Sequence, residues 1–396
     1  MCTFSGIELH ENTKRILVLS QCFGLIPVSG VLSGKLKYKR SSFKVRYSYL
    51  LLAAHFVMAS MTIGDLFFRT VSFRSCNVIM IYVPGFLMHW QFLNIGQDWP
   101  ELMQQFRRVE ELFKSNCYKT QKKRKSLFTG TLLTTLFILS ITICEYSFSI
   151  ASVYDVIART GNVEDLNVWK VMIKEIFSFI TDYVRYSSLL AFVLLTMNFY
   201  CTFIWNFMDL FIIIMCNAIA RKFEAIGREI LKSSREELEN EYYWQKMRED
   251  YNQLAKLFYY LDQKISGIVL LSFASNMYFI LVQLFRSLSL SNSNVEKIYF
   301  VVSFGMLLLR TGAVSIVAAR LNDSSRTPLT FLTLQPSEYY CPDLERLILQ
   351  ISQDDIALSG YKSFKITRGF LFRIAGTIVT YELFLFQFNL SLNMMR

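Results

Sequence analysis

Charged residues are scarce in this chain. Asp, Glu, Lys and Arg make up only 18% of the 396 residues, whereas 53% are hydrophobic and 15% aromatic. A soluble chain of this length carries more charge. The composition therefore argues against a soluble globular protein and favours an environment in which large apolar surfaces are stabilised.

Patterns that would indicate an enzyme or a metal protein are also missing. The eight cysteines form no CxxC pair, which argues against a disulfide framework, and the three histidines have no metal-ligand spacing. There is no P-loop and no GxSxG, HExxH or GxGxxG motif. No standard constellation supports an enzyme, and no cofactor is expected. Six prolines leave few helix breaks.

Long apolar stretches are present instead, and each is long enough to cross a bilayer, which takes ~20 mostly apolar residues. They cover residues 46–68, 77–97, 127–150, 183–214, 265–286, 298–319 and 369–391. The fourth stretch is too long for one crossing and should tilt or continue as a helix beyond the membrane. The sequence thus predicts an all-α, polytopic membrane protein with seven transmembrane helices.

The distribution of Lys and Arg predicts how these helices are oriented. If the N-terminus is inside, 31 of the 42 basic residues lie on the cytoplasmic side, 8 outside and 3 within spans. By the positive-inside rule we expect a cytoplasmic N-terminus and an extracellular C-terminus, the reverse of a G-protein-coupled receptor. Contact of the inner basic runs with membrane lipids is a second interpretation. Nucleic acid is not an expected partner, despite the net charge of +11.

The same pattern predicts the organisation of the chain. We expect a cytoplasmic N-terminal segment, a bundle of six transmembrane helices, a cytoplasmic anchor segment, and a last helix with a short extracellular tail. These parts cover residues 1–45, 46–319, 320–368 and 369–396, with cytoplasmic helical extensions around 98–126 and 218–264. Phe223, Ile226 and Ile230 recur at helical spacing in the second extension. This predicts an amphipathic helix that packs against other inner helices or a neighbouring subunit, or a solvated extension.

The most specific motif lies in the last stretch, where residues 380–388 read TYELFLFQF. It resembles the TYhhhhhQF signature of the insect gustatory receptors, and Glu382 after the Thr-Tyr pair fits the sugar-sensing branch. The resemblance extends over residues 357–389. Three other segments resemble the same branch less specifically: FIWNFMDLFIIIM (203–215), LLSFASNMYFILVQL (270–284) and ARLNDSSR (319–326).

This resemblance implies an architecture and an activity. Members resemble the insect odorant receptors: four subunits of seven helices surround a central cation pore lined by the last helix, and inner helices pack below the membrane as an anchor. A ligand pocket opens outward in each subunit. The chain is therefore expected to be a sugar-gated, nonselective channel for sodium, potassium and calcium in the plasma membrane of gustatory receptor neurons. It would form a homotetramer, or a heterotetramer with related gustatory receptors.

The resemblance also assigns the pore residues. Gln387 and Phe388 would form the gate, with Thr380, Tyr381 and Phe384 on nearby faces of the same helix. A ring of Phe side chains can close a pore by dewetting. The alternative is ordinary helix packing, in which Gln387 hydrogen-bonds across a helix interface.

Glu382 stands close to this gate. An intramembrane carboxylate is costly and is usually paired or solvated. We expect it to pair with a neighbouring helix, through Arg310 or Arg373, rather than to line the pore.

A sugar has many hydroxyl groups and apolar ring faces, so its pocket calls for carboxylates, amides, an Arg and aromatic rings. Such side chains occur in the predicted outer halves of the spans. They are Asp65; Tyr82, His89, Trp90 and Gln91; Glu145 and Tyr146; Asp182, Arg185 and Tyr186, at helical spacing i, i+3 and i+4; and Asn276, Tyr278 and Gln283. The alternatives are interhelical hydrogen bonds, an interfacial tyrosine belt and, for Trp90, core packing.

Other classes remain open at this stage. A related chemoreceptor channel for bitter or volatile ligands would share the architecture and differ in pocket polarity. A transporter would show inverted repeats with broken helices, and none is visible. A membrane enzyme would need an intramembrane catalytic cluster, for which the isolated His55 and His89 are poor evidence.

Overall fold

A computed structural model describes residues 8–68, 72–115, 124–160, 168–287 and 294–394, and this part of the chain is helical. Its helices are α1 (Glu8–Cys22), α2 (Phe43–Phe68), α3 (Phe73–Ser115), α4 (Arg124–Thr160), α5 (Val168–Ile176), α6 (Ser178–Thr181), α7 (Ser188–Ile230), α8 (Arg235–Leu238), α9 (Glu241–Ser287), α10 (Asn294–Thr333), α11 (Pro342–Gln353) and α12 (Arg368–Met394). A 3-10 helix covers Ser337–Tyr339. The all-α prediction is confirmed.

Each predicted apolar stretch lies largely within one of seven long helices: α2, α3, α4, α7, α9, α10 and α12. Among the described residues, five helices are long and apolar enough to cross a membrane, namely α2, α3, α7, α9 and the part of α10 from Lys297 to Thr333. The multi-pass character therefore follows from the structure. The number of seven spans stays a prediction, because α4 and α12 are not among these five.

Helix α7 occupies the centre of the bundle. It packs against α3, α4, α9 and α10, with the longest shared surface against α10. Its aromatic side chains interlock with those of α3: the ring centroid of Phe92 lies 5.1 Å from that of Phe207 and 5.5 Å from that of Phe211. Buried aromatic rings of this kind contribute large apolar areas to a core.

The start of the fourth span differs from the prediction. The helix begins at Ser188, because the hydroxyl of Ser187 accepts the backbone N–H of Leu190 and caps the first turn. Residues 182–187 form an irregular link between α6 and α7. The expectation that Asp182, Arg185 and Tyr186 share a helix face is therefore wrong.

Helical structure also continues beyond two of the predicted spans. After the span 127–150, α4 continues to Thr160 and is followed by α5. Helix α10 continues through Pro328 to Thr333. The Pro328 ring lies beside Gly227 of α7, where a Cβ would be in ordinary van der Waals contact with it, 3.5 Å from Pro328 Cγ.

The inner ends of α7 and α9 extend beyond the predicted spans and pack together. Phe223, Ile226 and Ile230 are buried, and the rings of Phe223 and Tyr251 lie 5.4 Å apart. Helix α11 joins this layer through Arg248, whose Nε donates to Asp343 Oδ1 at 2.8 Å. This is a packed helical layer, although its cytoplasmic location remains a prediction.

Candidate pore helix and ligand-binding residues

The chain enters α12 through a turn that is firmly held. The turn covers residues 359–365, and we call it the inner hairpin because it lies on the predicted inner side. In it, Ser359 and Lys365 form a β-bridge. The backbone N–H and the hydroxyl of Ser359 donate to the two carboxylate oxygens of Asp262 on α9, each at 2.7 Å. Tyr361 and Lys362 have positive φ angles of 47° and 59°. Such angles are unfavourable for these residue types and persist where surrounding contacts impose them.

A second contact fixes the inner hairpin to α3. Gln91 Nε2 donates to Tyr361 Oη at 3.0 Å. Gly267 on α9 leaves room for this pair, because a Cβ there would lie 2.6 Å from both polar atoms. Gln91 thus contacts the turn before α12, and the expectation that it belongs to an outer pocket is wrong. Gln91 lies in the second half of the predicted span 77–97, which runs from the outer to the inner side, so the span boundaries already place it closer to the inner side.

One stripe of α12 packs against the bundle. Tyr381 and Ile378 lie against a small apolar cluster that contains Leu385 together with Ile280, Leu284 and Leu307 of α9 and α10. The spacing of three and four residues places these α12 side chains on one helix face. The sequence reasoning grouped Tyr381 with the pore residues, and the structure places it on the packed stripe.

Most of the remaining surface of α12 is uncovered. Thr380, Leu383, Phe384 and Gln387 are exposed, with Leu383 at 58% and Phe384 at 62%. We call these four residues the open face of α12. The side chain of Phe388 lies outside the described residues.

Glu382 is also exposed on α12, and its expected pairing with Arg310 is wrong. Arg310 Nε lies 2.8 Å from Asp209 Oδ2. Its Nη1 donates to Asn206 Oδ1 at 2.9 Å and its Nη2 to Asn276 Oδ1 at 3.0 Å. The guanidinium is therefore occupied by partners on α7 and α9.

The carboxylate of Asp209 is equally well compensated. It accepts from Ser272 Oγ at 2.5 Å and from Asn276 Nδ2 at 3.3 Å. Asp209 is completely buried and Arg310 is 7% exposed. We call Asn206, Asp209, Ser272, Asn276 and Arg310 the buried ionic cluster. An ion pair at this depth is tolerable because hydrogen bonds reach both Nη atoms of the guanidinium and both oxygens of the carboxylate.

Two predicted pocket residues belong to this environment. The amide of Asn276 both donates and accepts within the buried ionic cluster, so it joins α9 to α7 and α10. Glu145 on α4 interacts electrostatically with Arg310. Sequence reasoning had placed Asn276 in a ligand pocket without identifying its partners, which come from distant parts of the chain.

A second buried polar group joins α2, α3 and α7. His89 contacts Ser48 Oγ through Nε2 at 3.2 Å and Tyr200 Oη through Nδ1 at 2.8 Å. His55 Nε2 lies 2.8 Å from Cys201 Sγ. Within the described ranges, no three or more His, Cys, Asp or Glu side chains are grouped to hold a metal ion. His89 here links helices.

Polar pairs join the helices near their predicted outer ends. Tyr278 Oη donates to Asn77 Oδ1 at 2.8 Å, which links α9 to α3. Tyr183 Oη donates to Asp65 Oδ1 at 3.5 Å, which links the segment before α7 to α2. We call these four residues the outer polar pairs. Asn77 was missed by the sequence reasoning, because a single amide at a helix end gives no signal.

Two further hydrogen bonds join α9 to α10 and α4 to α7. Gln283 Nε2 donates to Ser303 Oγ at 2.8 Å. Tyr146 Oη donates to the backbone carbonyl of Leu195 at 3.0 Å. Both are hydrogen bonds between helices, as the structural alternative anticipated.

The remaining predicted pocket residues are dispersed. Asp182 and Arg185 are exposed, and Tyr186 is half-buried with Lys170 Nζ 5.7 Å from its ring centroid. Tyr82 is buried with its ring 5.4 Å from that of Phe179. Trp90 is 49% exposed, with its ring 6.5 Å from that of Phe86. The contacts given for Tyr82, Trp90 and Tyr186 are thus with residues outside the outer polar pairs.

The fold is that of an insect chemoreceptor. The structure is similar to the olfactory receptor OR5 of Machilis hrabei, solved both alone and in complex with eugenol. The TM-score is 0.65, with 14% sequence identity over 96% of this chain and 99% of that one.

Sequence comparison gives the family. The chain is 32% identical over 389 residues to gustatory receptor 5a for trehalose of Drosophila melanogaster, covering 96% of this chain and 85% of the relative. It is 31% identical to gustatory receptor for sugar taste 64f of the same species, covering 96% and 81%. It matches the trehalose receptor family over residues 5–395 and belongs to that family. The resemblance to the sugar branch of the gustatory receptors is confirmed, and these relatives are receptors, not enzymes.

Proposed function

We propose that this chain is a sugar receptor that is also an ion channel: a sugar bound among the outer helix ends opens a nonselective pore lined by α12. Family membership supports the receptor part. The observation that carries the channel part is the open face of α12, where polar and apolar side chains lie uncovered on a mostly apolar helix.

This face is unsuited to lipid, because the polar side chains of Gln387 and Thr380 are exposed there. A carboxylate or amide facing hydrocarbon is costly, so such groups face water or protein. The apolar Leu383 and Phe384 on the same face suit contact with another subunit. A helix that lines a pore between subunits has both kinds of side chain on one face: polar groups that contact water and apolar groups that contact the neighbouring subunit.

Several copies of α12 around one axis satisfy both needs. Thr380 and Gln387 are seven residues apart, so they project toward the same side. We assign the gate to Gln387 and Phe388: a ring of Phe388 side chains excludes water, and rotation of α12 replaces it with Gln387 amides. The assembly is a tetramer, either of this chain alone or shared with related gustatory receptors.

The proposed topology has seven spans, an inner N-terminus and an outer C-terminus in the plasma membrane. The excess of Lys and Arg on the predicted inner side supports it. An epitope tag at the N-terminus that is labelled on intact cells would contradict this orientation.

In this proposal the sugar binds at the outer polar pairs, and this binding is the first step toward opening the pore. Their hydroxyl, amide and carboxylate groups can exchange one partner for a sugar hydroxyl. Helix α9 carries Tyr278 in an outer pair, Leu284 against the packed stripe of α12, and Asp262 under the inner hairpin. A sugar that binds the open arrangement more tightly than the closed one shifts the equilibrium toward the open arrangement, in which α9 and α12 have moved together. The difference between the two affinities sets how far the equilibrium shifts.

Whole-cell current recording tests this proposal. Cells expressing the chain, alone and with related sugar receptors, are exposed to mono- and disaccharides and then to bitter and volatile compounds. We expect cation current with sugars, and Phe388→Ala should raise the current without sugar several-fold. Phe372→Ala is the matched control, an exposed ring near the inner end of α12.

The outcomes separate the parts of the proposal. Current with bitter or volatile compounds only would replace the sugar assignment by the related chemoreceptor function. Surface-expressed protein that gives no current in any combination would contradict the channel. Equal behaviour of Phe388→Ala and Phe372→Ala would contradict the gate.

A further inference from the structure

The link between α1 and α2 contains a compact turn, residues 29–42, that we call the basic hairpin. Ser29 and Lys37 exchange backbone hydrogen bonds of 2.9 and 3.0 Å. Gly30 has φ +79°, and a Cβ there would lie 2.1 Å from the carbonyl oxygen of Lys35. Gly34 also has positive φ, +67°. These glycines permit the tight turn, so the hairpin is a built element of the fold.

The hairpin presents three lysines on one side. Lys35, Lys37 and Lys39 are exposed, while Leu36 between them is buried and Tyr38 is half-buried. In extended chain, alternate residues share a face and lie about 7 Å apart. The result is a row of ammonium groups with an apolar underside attached to the bundle.

Among the described residues, no acidic side chain pairs with this row. Between Glu11 and Asp65 the sequence contains no Asp or Glu. In the described ranges, no ion pair involves Lys35, Lys37 or Lys39.

Several other exposed bases on the predicted inner side are paired. Arg320 lies 2.6 Å from Glu224, Lys365 2.5 Å from Asp355, and Arg368 2.6 Å from Asp323. The basic hairpin differs from these paired bases because three lysines close together leave their positive charge available.

Large apolar side chains flank the lysines. Leu32 at the hairpin turn is 75% exposed, and Phe43, the first residue of α2, is 81% exposed. Helix α2 is one of the candidate membrane spans, which places the hairpin where that span ends. Exposed cations beside exposed apolar groups at a span end fit the boundary between headgroups and acyl chains.

We propose that the basic hairpin binds an anionic phospholipid of the cytoplasmic leaflet, with a headgroup that carries several phosphates. Three adjacent ammonium groups match several phosphate charges, and Leu32 and Phe43 contact the acyl chains. This inference rests on the topology given under Proposed function, in which the first residues of α2 lie at the cytoplasmic surface.

The bound lipid would hold the junction of α1 and α2. Two contacts already join these helices: Lys44 Nζ donates to Gln21 Oε1 at 2.5 Å, and Tyr47 Oη donates to the Cys22 carbonyl at 2.9 Å. A lipid on the adjacent hairpin would add an anchor to the same junction.

Binding by the full-length chain in detergent micelles tests the proposal. The probe is fluorescent dioctanoyl phosphatidylinositol bisphosphate, with the phosphatidylcholine analogue as the neutral arm. For Lys35→Gln/Lys37→Gln/Lys39→Gln we expect affinity at least about tenfold weaker than wild type. The matched control, Lys232→Gln/Lys246→Gln/Lys256→Gln, has the same net charge and removes bases that are likewise in no described ion pair; it should bind within about twofold of wild type.

Further variants keep the result decisive. The triple Lys→Arg variant retains the charge and should retain binding, which would show that positive charge is what the site requires. An unchanged thermal unfolding temperature of the triple Lys→Gln variant excludes misfolding as the cause of its loss. Leu32→Ser should weaken lipid binding and leave binding of soluble inositol trisphosphate unchanged. Equal losses in both triple Gln variants would overturn the site. Soluble trisphosphate that binds as tightly as the lipid, with no effect of Leu32→Ser, would overturn the lipid assignment.

An error in the proposed membrane orientation would be detected by a different experiment from the one that tests lipid binding. Binding in micelles does not depend on orientation, whereas the N-terminal tag reports orientation and not binding. The failure of one proposal can therefore be told from the failure of the other.

Discussion

Helices α7 and α12 are both long and apolar, yet they occupy opposite settings. Helix α7 is buried over most of its length by α3, α4, α9 and α10. Among the described side chains of α12, only Leu385 is buried. Apolar composition therefore does not distinguish a helix that forms the centre of a subunit from one that faces outward.

The polar residues do distinguish them. In α7, Asn206 and Asp209 bind Arg310 inside the buried ionic cluster. In α12, Thr380, Glu382 and Gln387 are exposed. The polar groups of α7 hold one subunit together, whereas those of α12 are left for water or a neighbouring subunit, which is the basis of the proposed pore.

The largest effect is expected from Arg310→Met. It leaves the buried Asp209 carboxylate without its cation, which costs about 3–5 kcal/mol. Thermal unfolding of the purified protein in detergent should show a strong loss of stability. Arg373→Met is the control, since Arg373 is exposed on α12, and should change stability by less than about 0.5 kcal/mol.

A double variant sharpens this result. Arg310→Met combined with Asp209→Leu removes both charges, and apolar replacement of a whole buried pair is often neutral. Much of the lost stability should return. If the double variant is as unstable as Arg310→Met, the cluster stabilises the bundle through its neutral hydrogen bonds rather than through charge compensation.

The next effect concerns the inner hairpin, where α12 is tied to the bundle. Asp262→Ala removes both hydrogen bonds to Ser359 and is expected to cost about 1.5–3 kcal/mol. The same unfolding measurement checks it. Asp323→Ala breaks the more exposed pair with Arg368 and should cost less than about 1 kcal/mol. Equal losses would contradict the view that the inner hairpin is the firmer attachment.

The smallest changes in stability are expected from substitutions at two glycines. Gly267→Ala puts a Cβ 2.6 Å from Gln91 Nε2 and Tyr361 Oη. Loss of their hydrogen bond should cost about 0.5–1.5 kcal/mol. A Cβ at Gly376 of α12 meets nothing within 4 Å, so Gly376→Ala should stabilise the isolated subunit by up to about 1 kcal/mol. Destabilisation of isolated subunits by Gly376→Ala would show that this part of α12 packs within the subunit.

The all-α fold and the family resemblance of the last helix could be predicted from the sequence. Both rest on local signals, namely the long apolar stretches and the TYELFLFQF motif. The start of α7 could not, because apolar periodicity does not reveal that Ser187 caps the helix.

The partners of Asn276 and Gln91 could not be predicted either. The Asn276 amide is joined to Arg310, 34 residues away, and the Gln91 amide to Tyr361, 270 residues away. Contacts of this kind depend on how the helices are arranged, which no single stretch of sequence contains.

Cysteine accessibility in the open channel tests the central claim most directly. Thr380→Cys, Gln387→Cys and Leu385→Cys are expressed separately and treated with a charged, water-soluble thiol reagent during sugar-evoked current, with the unsubstituted chain as control. We predict rapid block of current at the first two positions and none at Leu385, which is 7% exposed. Block at Leu385→Cys with none at Thr380→Cys and Gln387→Cys would contradict the assignment of the open face of α12 to the pore.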